Sequence, residues 1–281
     1  MTVVIAMVVA VAGFVEVLPL PLELPPFPEY QTTGPSAGVS LELLESRPNM
    51  VTDYESWFEG KKDWQSRTFH SGGANNAIRG TEPPPGVAGV LLTPGEGEFH
   101  LSQVIRSRDG IIALYGSPPN RFNVVLDDRI IVIAEPLSGR PPIVLDFLSY
   151  AGEGAGSTFQ QIRWAELYDG VLYVSNAHRT YASNSSGLNG YLTAIDLEKL
   201  QILWRSGPLT ANAANFIVRD DIIISAYGFT DEDDFIYLLN RWTGEVAGRI
   251  PVPTAPEYLY LRGNLLHVRC YGTDLVFRIR E

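Results

Sequence analysis

Tyr168-Asp169-Gly170 runs directly into Val171-Leu172-Tyr173-Val174-Ser175-Asn176, and the reading of the whole chain turns on that junction. An Asp-Gly pair between β-branched and aromatic residues is a strong short-range signal for a hairpin, because both residues tolerate the positive φ that a tight turn between twisted strands demands. The arrangement recurs. Arg108-Asp109-Gly110 precedes Ile111-Ile112-Ala113-Leu114-Tyr115-Gly116, and Arg219-Asp220-Asp221 precedes Ile222-Ile223-Ile224-Ser225-Ala226-Tyr227. Arg262-Gly263-Asn264 likewise precedes Leu265-Leu266-His267-Val268-Arg269-Cys270. Apolar runs such as Phe216-Ile217-Val218 and Tyr258-Leu259-Tyr260-Leu261 lead into the turns.

A second turn follows each of the first three. Leu137-Ser138-Gly139 separates Arg129–Ala134 from Pro142–Phe147, Leu197-Glu198-Lys199 separates Gly190–Ile195 from Leu200–Trp204, and Trp242-Thr243-Gly244 separates Phe235–Leu239 from Glu245–Val252. The distance between the two turns is 29 residues (110 to 139), 29 (170 to 199) and 23 (221 to 244). Each unit therefore reads as four antiparallel strands, and no long helical period interrupts them. A four-stranded meander repeated in this way predicts an all-β fold, a β-propeller, because one small sheet buries both faces only when neighbours stack on it. Four blades are recognisable, and residues 31–100, otherwise irregular, offer at most a degenerate fifth. The last unit supplies only three strands, the third being Asp274–Ile279. An N-terminal strand, with Val39–Leu44 the first choice, is expected to complete that blade and cover its edge.

Ala194-Ile195-Asp196-Leu197-Glu198-Lys199-Leu200-Gln201-Ile202-Leu203-Trp204 resembles the Ala-x-Asp-x-x-Thr-Gly-x-x-x-Trp signature of the quinoprotein-like (PQQ-like) propeller repeats. Asn240-Arg241-Trp242-Thr243-Gly244-Glu245 is similar around its Thr-Gly. The resemblance covers about residues 104–281 and implies a propeller. It does not carry over a quinone cofactor, since the dehydrogenases of that family are longer, eight-bladed chains, often with adjacent cysteines. No cofactor is expected.

Composition narrows the function. With 45% apolar and 19% charged residues, the 281-residue chain suits a single folded domain over 31–281. A balance of 21 Lys+Arg against 32 Asp+Glu, net −11, repels phosphate backbones, so nucleic acid is not an expected partner. A single cysteine, Cys270, excludes an intramolecular disulfide framework and a Cys-rich zinc site. Val3–Val15 is almost wholly apolar and Ala10-Val11-Ala12 has a small-x-small pattern, although no basic residue precedes it. Pro19, Pro21, Pro25 and Pro26 stop the run before it could span a bilayer as a helix. Residues 1–30 therefore read as a signal or anchor segment followed by an extended linker, Leu18–Pro28, and the protein as exported: periplasmic, cell-surface or secreted. Membrane contact would come only through that segment. Val87–Leu92 is a further strand candidate, and Tyr54, Trp57, Phe58 and Trp64 a local aromatic core.

Alternate turns of a meander emerge at opposite ends of the sheet. The long loops Ser117–Asn123, Ala177–Leu188 and Phe229–Asp234 share one end with the links Leu148–Phe159, Gly207–Ala214 and Thr254–Pro256. Binding residues belong there. The candidates are Arg121, Asn176, His178, Arg179, Tyr181, Asp231, Asp233, Asp234 and Glu257. Asp231-Glu232-Asp233-Asp234 offers oxygens to calcium, but lacks the alternating spacing and glycine of a dedicated calcium loop, so a solvated acidic turn competes with that reading. Gly152–Ser157 has the wrong spacing for a phosphate cradle, and Asn184-Ser185-Ser186 fits a glycosylation sequon. His70, His100, His178 and His267 stand alone, and His-Glu-x-x-His does not occur. The expected function is non-enzymatic binding of a protein, peptide or glycan on the long-loop face. The alternative is a hydrolase or lyase using carboxylates there, such as Asp233, Glu153 or Glu257 with His178 or Arg179.

Overall fold

The computed structural model describes residues 17–19, 38–49, 68–70, 100–116, 130–134, 142–147 and 160–280. Among them the only helix is one short 3-10 segment, Ala182–Ser185; all other regular structure is β. The first repeat unit forms β4 (His100–Arg106), β5 (Ile111–Gly116), β6 (Ile130–Ala134) and β7 (Ile143–Asp146), paired antiparallel in sequence order. Two strands flank it, giving a six-stranded sheet: β3 (Thr68–His70) beside β4, and β1 (Val17–Pro19) parallel to β7. The second unit is β8 (Gln161–Tyr168), β9 (Val171–Ala177), β10 (Tyr191–Asp196) and β11 (Gln201–Arg205). The third is β12 (Ile217–Arg219), β13 (Ile222–Tyr227), β14 (Phe235–Asn240) and β15 (Val246–Pro251). The fourth is β16 (Pro256–Arg262), β17 (Leu265–Cys270) and β18 (Thr273–Arg280), and its fourth strand is β2 (Ser40–Pro48).

The strand from the N-terminal region thus falls where the sequence predicted it. β2 lies antiparallel to β18, with Leu41 opposite Ile279 and Leu43 opposite Phe277. Its side chains are mostly exposed; Val39, just before it, and Leu41 pack on the core. The backbone ladder and the Arg278 and Arg280 guanidiniums on Glu42 (3.2 and 2.6 Å) hold the strand. Two expectations fare differently. Leu18 and Pro19, read as linker, lie in β1 at the end of the first sheet, an edge position where the missing proline N–H is tolerated. The described parts of residues 31–100 extend the first and fourth sheets, so they build no fifth sheet. Val3–Val15, Val87–Leu92 and the Tyr54, Trp57, Phe58 and Trp64 group lie outside the described residues.

Stacking explains why the strands read as unbroken apolar runs. The third sheet buries Ile223, Tyr237 and Leu239 against the second, and Ile222, Ile224, Ala226, Ile236 and Leu238 against the fourth. A sheet covered on both faces needs apolar residues at every position, which is why Ile222-Ile223-Ile224 does not alternate. The core that holds Ile223, Tyr237 and Leu239 continues between the first and second sheets through Ile105, Ile112, Leu114, Leu145, Trp164 and Leu172. In the fourth sheet, β18 does alternate: Leu275, Phe277 and Ile279 are buried while Arg278 and Arg280 are exposed.

First strands meet first strands: β12 packs against β8 on one side and β16 on the other. Asn215, just before β12, donates from Nδ2 to Leu259 O (2.8 Å) and accepts from Leu259 N–H (2.9 Å), imitating a backbone pair across that junction. The signature residues lock neighbouring sheets as well. Asp196 Oδ1 accepts the N–H groups of Glu198 and Lys199, both at 2.9 Å, closing the turn into β11. Trp204 then lies over the β14–β15 turn, donating from Nε1 to Arg241 O at 3.0 Å. Its ring is so close to Gly244 that a Cβ there would fall 2.3 Å from Cε3; Gly244 also has φ +73°. The corresponding left-handed position in the preceding unit is occupied by exposed Leu200 (φ 51°).

Candidate functional site

The two ends of the stacked sheets are built differently. At the tight-turn end, polar groups bond to each other. Asp169 N–H donates to Asp109 Oδ2 at 2.6 Å, and Arg219 Nη2 donates to Asn264 Oδ1 at 3.0 Å, each joining the first turns of successive units. Tyr168 is stacked between Arg108 and Arg241, whose guanidinium carbons lie 4.4 and 4.7 Å from its ring centre. Arg241 also lies 4.1 Å from the Trp242 ring and donates to Asp169 Oδ2 at 3.1 Å. Glu166 accepts from Ser107 Oγ (3.0 Å) and Trp164 Nε1 (3.4 Å), and burial pushes its carboxyl up to about 7.

At the other end, loops from adjacent sheets are cross-braced. His178, the first residue of the long β9–β10 loop, is buried; its N–H donates to Asn189 Oδ1 (2.9 Å) and its Nε2 lies 2.7 Å from Ser185 Oγ. Ser185 Oγ also donates to Ala182 O at 3.1 Å, and burial draws the imidazole below its ordinary value. Glu232 of the β13–β14 loop accepts Ala182 N–H (2.7 Å) and the Tyr227 hydroxyl (2.6 Å). Tyr181 stands 40% exposed, edge-on to Phe229 of that second loop, with ring centres 5.0 Å apart at 82°. Asn212, in the link to the third sheet, donates to Gly228 O (2.8 Å) and accepts Gly228 N–H (3.0 Å).

These contacts sort the predicted residues. Arg179, Tyr181, Asp231 and Asp233 are exposed on the long-loop end. Asn176 is corrected: it belongs to β9, opposite Tyr191 and Ile162, and is fully buried with both amide atoms unpaired. The strand runs longer than expected because Gln161 continues its pairing as far as Ala177. His178 is likewise corrected from a surface donor to a buried brace of its own loop. Asp234 is half-buried, its Oδ1 unpaired and packed toward Gly228, and burial pushes its carboxyl up to about 6. Glu257, at the start of β16, is also raised by burial, against the pull of Arg163 and Arg179. Both carboxyls act on Cys270, which is fully buried and pushed up to about 12 chiefly by that burial, so the thiol is no nucleophile. Arg121, Glu153 and Gly152–Ser157 lie outside the described residues.

The acidic turn does not converge. Glu232 turns inward to Tyr227 and Ala182, Asp234 is half-buried, and Asp231 and Asp233 face solvent. Among the described residues, no group of three His, Cys, Asp or Glu side chains could hold a metal ion. Three contributors were not singled out from sequence: Arg163 on β8, Phe229 beneath Tyr181, and Glu232 as the brace. Arg163 lies in a strand, where sequence gives no sign that its charge would act on Glu257 of another unit.

No protein-family model and no curated protein matches the chain. Among solved structures it is similar to the computationally designed Ika8 protein, with 13% identity and a TM-score of 0.39 over 65% of this chain and 48% of that one. It therefore spans about half the length of the Ika8 chain. A second designed protein, Ika4, matches with 12% identity and a TM-score of 0.38 over 66% of this chain and 94% of that one. BamB from Moraxella catarrhalis matches with 15% identity and a TM-score of 0.30 over 61% and 70%. At such scores the likenesses assign neither family nor function.

Proposed function

We propose that the chain is an exported, non-enzymatic β-propeller of PQQ-like units that binds a protein, peptide or glycan through its long-loop end. The propeller reading is supported by β12 packing between β8 and β16, so that first strands adjoin in succession, and by the Asp196–Trp204 lock onto the next sheet. One observation carries the binding reading. Arg179 and Tyr181 are held exposed by loops that are themselves pinned, whereas the exposed Trp242 of the opposite end donates to Asp221 and stacks on Arg241. Export rests on the apolar N-terminal segment, and intact-mass measurement of protein recovered from its host tests it: loss of that segment is the expected result.

Peptide and glycan arrays probed with the labelled protein test the binding itself. Binding is expected to fall for Arg179→Glu and to persist for Trp242→Ser. The reverse pattern would move the site to the other end. A second reading, the carboxylate hydrolase or lyase, draws support from Asp234 and Glu257, two carboxyls raised by burial and both close enough to act on Cys270. Turnover of any substrate in a glycosidase and lyase panel that disappears in Glu257→Gln would favour it over simple binding.

A further inference from the structure

We propose that the ligand of the long-loop end is a basic, extended polypeptide segment seated on an aromatic row of Tyr181, Phe229 and Tyr271; this rests on the binding reading above. The row is the first argument. Each ring comes from the connection between the second and third strands of its unit, so three successive units each place one aromatic at the same end. Tyr181 is exposed, Phe229 is half-buried, and Tyr271, in the β17–β18 turn, is 68% exposed. Direct contacts join the three positions. Tyr181 and Phe229 meet with ring centres 5.0 Å apart. Gly228, next to Phe229, packs so closely on the link before β16 that a Cβ there would fall 2.9 Å from Ala255 Cα. Ala255 O in turn accepts the Tyr271 N–H at 2.8 Å. Asn49 pins the same turn from its other side, its N–H donating to Gly272 O at 2.9 Å and its Nδ2 to Cys270 O at 3.2 Å. Tyrosines on a backbone fixed in this way offer contact area at little entropic cost.

Charge is the second argument. Asp231 and Asp233 are exposed in the loop that carries Phe229, and Glu232 N–H donates to Phe229 O at 2.9 Å, closing a turn around Asp231. A guanidinium or ammonium placed over a tyrosine ring with carboxylates at hand gains from both. An acidic ligand gains from neither, and a neutral saccharide would use the rings alone. The net charge of −11 draws a basic segment from a distance, and an extended chain delivers its cations at regular intervals, as rings from successive units require. Arg179 serves the same ligand differently. With five donors and no acceptor, its exposed guanidinium suits the main-chain carbonyl oxygens that an extended segment leaves unpaired.

The test is fluorescence anisotropy with four labelled probes: dodecapeptides of glycine alternating with arginine, glutamate or serine, and a neutral hexasaccharide. The arginine peptide is expected to bind at least tenfold more tightly than the other three, and to weaken as salt is raised. Its affinity should fall tenfold or more in Tyr181→Ala, Tyr271→Ala and Arg179→Ala, and fivefold in the double variant Asp231→Asn with Asp233→Asn. Tyr271→Phe, which keeps the ring, and Trp242→Ser at the opposite end are expected to bind within threefold of the unaltered protein. Equal denaturation midpoints in urea establish that each variant is folded. Arginine-peptide binding unaffected by the ring and carboxylate variants overturns this surface. Failure of the arginine peptide to bind overturns the basic-segment assignment. So does tighter binding of the saccharide or another peptide that depends on Arg179, although the long-loop reading then stands. Binding lost only in Trp242→Ser overturns both.

Discussion

Both ends of these sheets are rich in arginine, tyrosine and carboxylates, and they use them in opposite ways. At the tight-turn end, Arg108, Tyr168, Arg241 and Trp242 stack into one column across three units, with Asp169 and Asp221 accepting from Arg241 and Trp242. At the long-loop end, Glu232, His178 and Asn212 brace the loops, while the side chains of Arg179 and Tyr181 make no hydrogen bond among the described residues. The lesson is that residue type alone does not mark a site. What marks it is a polar or aromatic side chain held in place by neighbours and left without a structural task of its own.

The largest effect expected from this contrast is on stability at the locking side. Trp204→Ala removes a buried ring that packs on Gly244 and bonds to Arg241 O, and should cost about 4 kcal/mol in urea denaturation. A loss below about 1 kcal/mol would mean that the lock contributes nothing special. Next comes pH. Glu166 has a folded-state pKa of about 7 against an ordinary 4.5, so the native state retains a proton that the unfolded chain gives up. The associated stability is complete below about 4.5 and is lost as pH rises through 7, roughly 3 kcal/mol in all. Glu166→Gln should flatten that slope, as read from denaturation midpoints at pH 5 and pH 8. Asp234, raised to about 6, acts in the same direction at the other end, so the double variant with Asp234→Asn should flatten it further.

A smaller, paired effect tests the lock at single-residue resolution. Gly244→Ala forces a methyl into the Trp204 ring at positive φ and should cost about 2 kcal/mol. At the equivalent position of the preceding unit, Leu200→Gly should leave stability within about 0.5 kcal/mol, since relief of the left-handed strain offsets the added freedom of the unfolded chain. The smallest stability change is predicted for Arg179→Ala, within about 0.5 kcal/mol by denaturation, although binding should collapse.

Much of the architecture was legible because its signals are local. The turns at Asp109, Asp169, Asp220 and Gly263 and the apolar runs beside them specify hairpins within a few residues, and all four hairpins form. The Ser40–Pro48 strand was also within reach, because β18 would otherwise have presented an unpaired edge. Val17–Pro19 was not, because Pro19 and the parallel partner β7 give no alternating signal. The site was legible only in outline. Loop length located the end of the sheets, but the burial of Asn176 and the action of the Arg163 and Arg179 charges on Glu257 depend on how separate units stack. Nothing in the spacing of those residues encodes that geometry.

The pairing of β2 with β18 also bears on how the chain is made. Glu42 and Arg278 meet across 236 residues, so the fourth sheet has to wait until the chain as far as Arg280 has left the ribosome. Until then residues 40–48 remain without their ladder while three units fold behind them. A helper that shields extended segments during synthesis would therefore raise the yield of active protein more than one acting after release.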